Sequence, residues 1–144
     1  MAALSDYLEN KILDHILRGT PYTAPANVYV GLLTAAPSDA GGGTEVAGSN
    51  YARVQITSGT SAWNNTQGNT TGASAGTDGT IENAAAVTFP TPSASWGTVT
   101  HFGVFDAATG GNLLFYAALT ASKVINSGDS VSFPIGALSL QIDN

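Results

Sequence analysis

The sequence predicts a mainly β protein: one N-terminal amphipathic helix, then a β-sandwich or open barrel of about seven short antiparallel strands. Three observations carry this expectation. A helical apolar period is confined to residues 5–18. Every later apolar run is short and is bounded by Gly, Pro, Asn or Asp. Helical and strand patterns do not alternate, so a doubly wound parallel sheet is not expected.

The helix is predicted over 5–18. Leu4, Leu8, Ile12 and Ile16 recur every fourth residue, and Leu13 and Leu17 widen the stripe. Asp6 and Glu9 fall in the first turn and His15 and Arg18 in the last, which suits the helix dipole. Asp14 and Arg18 form an i,i+4 pair, and Gly19 with Pro21 ends the helix. The stripe fits either a helix covering one side of a sheet or one that docks a partner or a second copy.

Strands are then expected at Val28–Thr34, Tyr51–Thr57, Asn83–Phe89, Thr98–Phe105, Asn112–Thr120, Ser130–Phe133 and Leu138–Ile142. In Tyr51–Thr57, alternation places Tyr51, Arg53 and Gln55 on one face and Ala52, Val54 and Ile56 on the other. Asp106–Gly111 is a hairpin signal. Residues 38–50 are read as a flexible loop around Gly41-Gly42-Gly43. No Lys follows these glycines as a phosphate cradle requires.

Residues 58–80 stand apart, with 17 of the 23 being Ser, Thr, Gly or Asn. Such a stretch cannot bury a core of its own. It is expected to be a long surface loop, mobile or ordered by a neighbouring subunit, within a single domain spanning 1–144.

Composition narrows the function. The chain has 144 residues and no cysteine, which removes disulfides, thiolate metal sites and cysteine nucleophiles. Four basic residues against ten acidic give a net charge of −6. That balance argues against nucleic acid and against a polybasic membrane contact. Charged residues are only 10% of the chain, so the surface rests on Ser, Thr, Asn and Gly. Met1–Asp6 lacks a positive n-region, so no targeting segment is expected, and no apolar stretch approaches a membrane span.

Most chemical motifs are weak in context. Gly72-Ala73-Ser74-Ala75-Gly76 matches the nucleophile elbow, yet it falls inside the polar loop and is read as a chance match. Asn64-Asn65-Thr66 and Asn69-Thr70-Thr71 match the glycosylation sequon, which matters only with a secretory route. His15 and His101 do not form a ligand cluster with carboxylates. His101 is read as a half-buried sheet histidine sharing a face with Val99, Gly103 and Phe105, and His15 as solvated. Asp39, Glu45, Asp78, Glu82, Asp106, Asp129 and Asp143 are spread through turns. No catalytic, cofactor or metal residue is assigned. Trp63 and Trp96 lie among small polar residues. Each is read as a stacking or interface group, or as a lid over the end of the sandwich.

Several stretches resemble a family of small tailed-phage proteins, usually labelled phage tail fibre protein. They are Leu4–His15, Tyr29–Pro37, Gly43–Val46 with Tyr51–Arg53, Phe89–Thr91, Trp96–Asp106 and Gly110–Tyr116. The resemblance spans nearly the whole chain except 58–80. It implies a non-enzymatic structural protein on the virion surface, made in the host bacterial cytoplasm. The chain has no repeat and no heptads, hence no shaft, which favours a small trimeric capsid decoration (cement) protein. Its partners would then be its own copies and the major capsid protein or other virion proteins. The alternative is a tail-fibre tip or adaptor contacting host-surface glycan. The candidate interface residues are Leu8, Ile12, Ile16, Trp63 and Trp96.

Overall fold

The computed structural model of the chain describes residues 2–142. Met1 and Asp143 therefore lie outside the described residues.

The chain opens with strand β1 (Ala3–Leu4) and turns at Ser5 into helix α1 (Asp6–Leu17). Ser5 is almost fully buried and does three jobs. Its hydroxyl oxygen accepts from the Leu8 amide at 3.3 Å, capping the helix. The same hydroxyl donates to the Leu113 carbonyl, and the Ser5 amide donates to Leu114 O at 3.0 Å. The expected Asp14–Arg18 pair forms at 3.1 Å.

The main sheet is antiparallel. It contains β2 (Asn27–Ala35), β3 (Thr44–Glu45), β4 (Val54–Thr57), β7 (Gly97–Phe105) and β8 (Leu113–Ile125), together with β1. The order is β1-β8-β7-β2, and β3 and β4 both pair with the far edge of β2 at different points along it. The two edges do not meet, so the sheet is open and not a closed barrel. Two ribbons complete the fold: β5 (Thr80–Glu82) with β10 (Ser139–Gln141), and β6 (Val87–Thr88) with β9 (Ser132–Phe133).

The core fills the space between sheet and ribbons. Val30, Leu32, Phe102, Val104 and Ala117 come from the sheet, and Val87, Phe89, Leu138 and Leu140 from the opposite side. An aromatic chain crosses it. Phe102 packs on Phe133 with centroids 5.7 Å apart, Phe133 on Phe89 at 6.2 Å, Phe89 on Tyr51 at 6.3 Å, and Tyr51 on Trp96 at 5.3 Å. The mainly β class with one N-terminal helix is the architecture seen.

Four local expectations are corrected. First, Asn83–Phe89 is not one strand: β5 ends at Glu82, just before it, and within it only Val87–Thr88 (β6) is strand, with a different partner from β5. The switch occurs at Asn83, which is fully buried. Its Nδ2 donates to the Ala85 and Pro134 carbonyls at 2.8 and 2.9 Å, and its Oδ1 accepts from the Leu138 amide at 2.8 Å. Second, only Val54–Thr57 of the segment from Tyr51 is strand. Its alternation holds there, but the Tyr51 ring turns into the core while Ala52 is exposed. The cause is a left-handed run at Gly48, Ser49 and Asn50, pinned when Trp96 Nε1 donates to Ser49 O at 3.0 Å.

Third, Val99 does not share a face with His101. The β7–β8 register shifts between them, so Val99 enters the core with Phe102 and Val104. His101 is half-buried beside the Thr100 hydroxyl at 2.8 Å. Fourth, residues 38–50 are not simply a flexible loop. They hold a Ser38–Gly41 bridge and then β3, which pairs with β2.

Candidate functional site: an apolar pocket and an exposed helix ridge

The polar segment 58–79 follows β4 and returns to β5 over the end of the sandwich. Its order comes from its own side chains, a third outcome beside mobility and a neighbouring subunit. Asn65 is 8% exposed and uses every polar position it has. Its Nδ2 donates to Asn69 Oδ1 and Thr71 O at 2.9 and 2.8 Å, and its Oδ1 accepts from the Gln67 and Asn69 amides at 3.0 and 3.2 Å. Gln67 bridges Ala73 O and the Ala75 amide, and Thr66 Oγ1 accepts from the Gly76 amide at 2.7 Å. Loop polarity is thus spent largely inward. Ser74 sits within this irregular segment, its Oγ accepting from the Thr66 amide at 3.4 Å. It has neither the preceding strand nor the following helix of an elbow.

Beneath the loop lies a cavity of about 490 Å³. Val28, Ile81, Val104, Phe115 and Leu140 supply apolar walls, while Trp63, Thr70, Ala73 and Ser74 bring the loop to its mouth. Among the described residues, no ionisable side chain lines it. Trp63 is half-buried, packed on the core at this end, and its backbone bridges Asn83. It therefore combines the lid role with a surface at the mouth of a pocket.

The helix supplies the second feature. Burial falls steadily along its stripe. Leu8 is 6% exposed, Ile12 is half-buried, and Leu13, Ile16 and Leu17 reach 53%, 69% and 75%. The helix lies against β8 at its N-terminal end and leaves the sheet as it proceeds. Leu13, Ile16 and Leu17 are spaced i, i+3, i+4 and form one ridge.

Of the five candidate interface residues, Leu8 and Trp96 belong to the chain's own interior. Trp96 is 5% exposed and its indole nitrogen is already bonded. They offer no surface to a partner, because in this fold the stripe's first turn and the segment before β7 both face inward. Ile12 and Ile16 lie on the helix and Trp63 at the pocket, so the remaining candidates fall on two separate surfaces.

Sequence reasoning missed a second polar cluster, around Arg53. Arg53 binds Glu45 through two bonds of 2.8 Å and donates to the Ala107 and Gly110 carbonyls at 2.7 and 2.9 Å. Tyr51 OH donates to Glu45 Oε1 at 2.8 Å and accepts from the Leu32 amide at 2.9 Å. Burial is the main reason its phenol is pushed well above the ordinary value, with Glu45 adding to it. Gly31 and Gly103 face each other across β2 and β7. Their missing Cβ atoms leave room for the Phe105 ring. A glycine inside a strand marks such close approach and was the available signal. This cluster ties β2, β3, β7 and the Asp106–Gly111 hairpin together, and every group in it is satisfied within the chain. Its role is architectural.

Fold and surfaces together define a β-rich domain with an apolar pocket and an exposed apolar helix ridge. No group of three or more His, Asp or Glu side chains able to hold a metal ion occurs among the described residues. Among the described residues, no helix is long and apolar enough to cross a membrane. The sequence matches the model of the family described as Podophage GP4 fiber I protein gp80 over residues 3–141, and the chain belongs to that family. It is thereby a structural protein of the phage-fibre type, associated with the virion. No curated protein matches the chain.

Proposed function

We propose that the chain is a non-enzymatic structural subunit of a phage fibre, a tip or adaptor domain that works by docking onto copies of itself and onto other virion proteins. One observation carries the reading. Six large apolar side chains are exposed among the described residues: three form the helix ridge, and a fourth, Ile142, lines the pocket. Adjacent exposed apolar side chains, as on the helix ridge, support an interaction surface, whereas single ones are ordinary. The family description names a fibre, which weighs against the capsid-decoration role that the compact, shaft-free chain favours at first sight.

Glycan contact at Trp63 draws less support. Sugar recognition needs free donors and acceptors around an aromatic platform, and Asn65, Thr66 and Gln67 hydrogen-bond within their own loop. The expected partners are other virion proteins, without nucleic acid, membrane or cofactor.

Copy number on purified particles tests the location. Quantitative mass spectrometry against the major capsid and tail proteins is expected to give a stoichiometry that follows the tail. A stoichiometry that follows the capsid lattice would replace the fibre role with decoration.

A further inference from the structure

We propose that residues 65–76 form a flap that lifts as one body and controls access to the apolar pocket beneath it. The inference concerns the chain by itself and goes beyond its place in the virion.

Hydrogen bonding divides the 58–79 segment. Its first part is fastened to β5 and the residues just after it: the Asn64 amide donates to Glu82 O and the Ala84 amide to Ala62 O, both at 2.8 Å. Its last part is fastened to β10 and the residue that follows. Gln141 Nε2 donates to Asp78 O and the Ile142 amide to Gly79 O, both at 3.2 Å. Between these anchors the bonds turn inward. Among the described residues, the side chains of Asn65, Thr66, Gln67, Asn69 and Ser74 bond only within 65–76. The Asn65 and Gly68 amides do the same, donating to Asn69 O and Asn65 O at 2.7 and 3.0 Å. Two short links therefore join the flap to its support, the Asn64–Asn65 peptide and Thr77. Both lead to the β5–β10 ribbon, so they share one base.

The same division explains why the flap moves whole. Asn65 holds Gln67, Asn69 and Thr71 at once, so loosening one turn disturbs the others. The ends of the flap are drawn together where Thr66 Oγ1 accepts from the Gly76 amide at 2.7 Å. A Cβ on Gly76 would collide with the Thr66 carbonyl, which shows how closely the two sides of this neck approach. Self-packed loops with close ends are compact units. A flap that lifts whole keeps every one of its internal bonds. What holds it down is slight. Asn65, Thr70, Gly72, Ala73 and Ser74 are its residues at the pocket, and none carries a large apolar side chain, so closing buries little apolar area. Its opening therefore belongs to the low end of local stabilities.

The chain has no cysteine, so one introduced thiol reports access without interference. Val104→Cys puts it on the pocket floor, where the residue is 1% exposed. Val30→Cys puts it on the neighbouring strand, at a position 0% exposed and outside the pocket lining, as the control for global opening. Iodoacetamide labelling of the folded full chain is followed by mass spectrometry, with amide hydrogen exchange in parallel. Val104→Cys is expected to react faster than Val30→Cys and more slowly than the same thiol in the urea-unfolded chain. The amides of Gln67, Asn69, Ala75 and Gly76, held by the flap's own side chains, are expected to open more rarely than the pocket does. Adding Asn65→Ala removes the hub of the flap. It should speed labelling of Val104→Cys about tenfold or more, as the loss of its bonds predicts, and leave Val30→Cys unchanged. Far-ultraviolet dichroism checks folding, and Leu140→Cys, also on the pocket wall, replaces Val104→Cys if that variant misfolds. Equal rates for the two thiols overturn the proposal, since the pocket then opens only with the whole fold. So does labelling of Val104→Cys at the unfolded rate, which means a pocket without a gate. Flap amides that open as often as the thiol is exposed show melting in place of lifting and overturn it too, as does an unchanged rate with Asn65→Ala.

Discussion

The Arg53 guanidinium lies over the Phe105 ring, its carbon 3.5 Å from the ring centroid. The stack is possible because Phe105 lies flat across Gly31 and Gly103, two residues without side chains paired on adjacent strands. Desolvation strengthens such a cation–π contact, and the Arg53 side chain is only 6% exposed. Three separated stretches of sequence thus converge on one packing unit.

Gly103→Ala is therefore expected to destabilise the protein. An added Cβ would stand 2.8 Å from Phe105 Cε2 and 2.9 Å from Leu113 Cδ1. Both neighbours are buried, so relief requires moving the ring off Arg53. Overpacking of this kind costs about 2 kcal/mol, read as a lower urea midpoint with unchanged slope. Gly31→Ala should behave alike, since its Cβ would approach Glu45 Oε1 at 2.8 Å and Phe105 Cε2 at 3.0 Å. An unchanged midpoint in both variants would show that the ring has another place to go.

Glu45→Gln is expected to cost roughly 2 kcal/mol, because it leaves the buried Arg53 charge with carbonyl partners alone. The figure is set below that of a fully buried pair because Glu45 retains 27% exposure. In the double variant with Arg53→Met, which removes the charge and keeps an apolar stem over Phe105, part of the loss should return. A double-mutant cycle by chemical denaturation measures this coupling, and strict additivity would mean the pair acts as two independent groups.

Asn83→Ala tests the strand switch. The variant would leave the Leu138 amide without its acceptor and the Ala85 carbonyl without its donor, in a position with no water contact, while the Pro134 carbonyl would keep the Ala137 amide alone. Unsatisfied buried groups cost about 1–3 kcal/mol each, so roughly 3 kcal/mol or more is expected in total. Hydrogen exchange should locate the damage in β5, β6, β9 and β10 and spare the β7–β8 ladder.

The same residues explain how much was legible. Helix α1 was readable because its caps, dipole charges and stripe agree, and β2, β7 and β8 because each carries a long apolar run. The split at Asn83 was not, since a lone Asn in a strand-like run looks the same whether it faces water or three backbone groups. Alternation places Val99 on the wrong face because a bulge has no signature in a run such as Thr98–Phe105, and one register shift reverses the alternation. The choice between interface and lid at Trp96 is not legible for a related reason. Its polar neighbours suggested exposure, yet burial was decided by Tyr51, a contact 45 positions away in the chain. The pocket could not be read at all, because its walls come from β2, β5, β7, β8 and the C-terminal segment. The ridge was visible as a stripe, but only the tertiary structure says which half of it stays uncovered.

The alkaline range offers a last prediction. The Tyr116 hydroxyl donates to the Asp39 carboxylate, linking β8 to the turn before β3. That bond is the largest reason its pKa is pushed up to about 12, with burial and the charges of Asp39, Asp6 and Glu9 adding to it. A folded-state pKa above the ordinary value of 10 means that the link contributes fully below pH 10. Its contribution is lost as pH rises through about 12, when the phenolate faces the carboxylate. Phenolate absorbance during an alkaline titration should therefore lose a late component in Tyr116→Phe. In Asp39→Asn the same component should move toward pH 10, since the acceptor is then uncharged. Burial raises Tyr51 as well, so the Tyr116→Phe and Asp39→Asn differences, not the late component alone, identify the Tyr116 titration. If Tyr116→Phe instead removes a component near pH 10, the Asp39 bond does not form in solution.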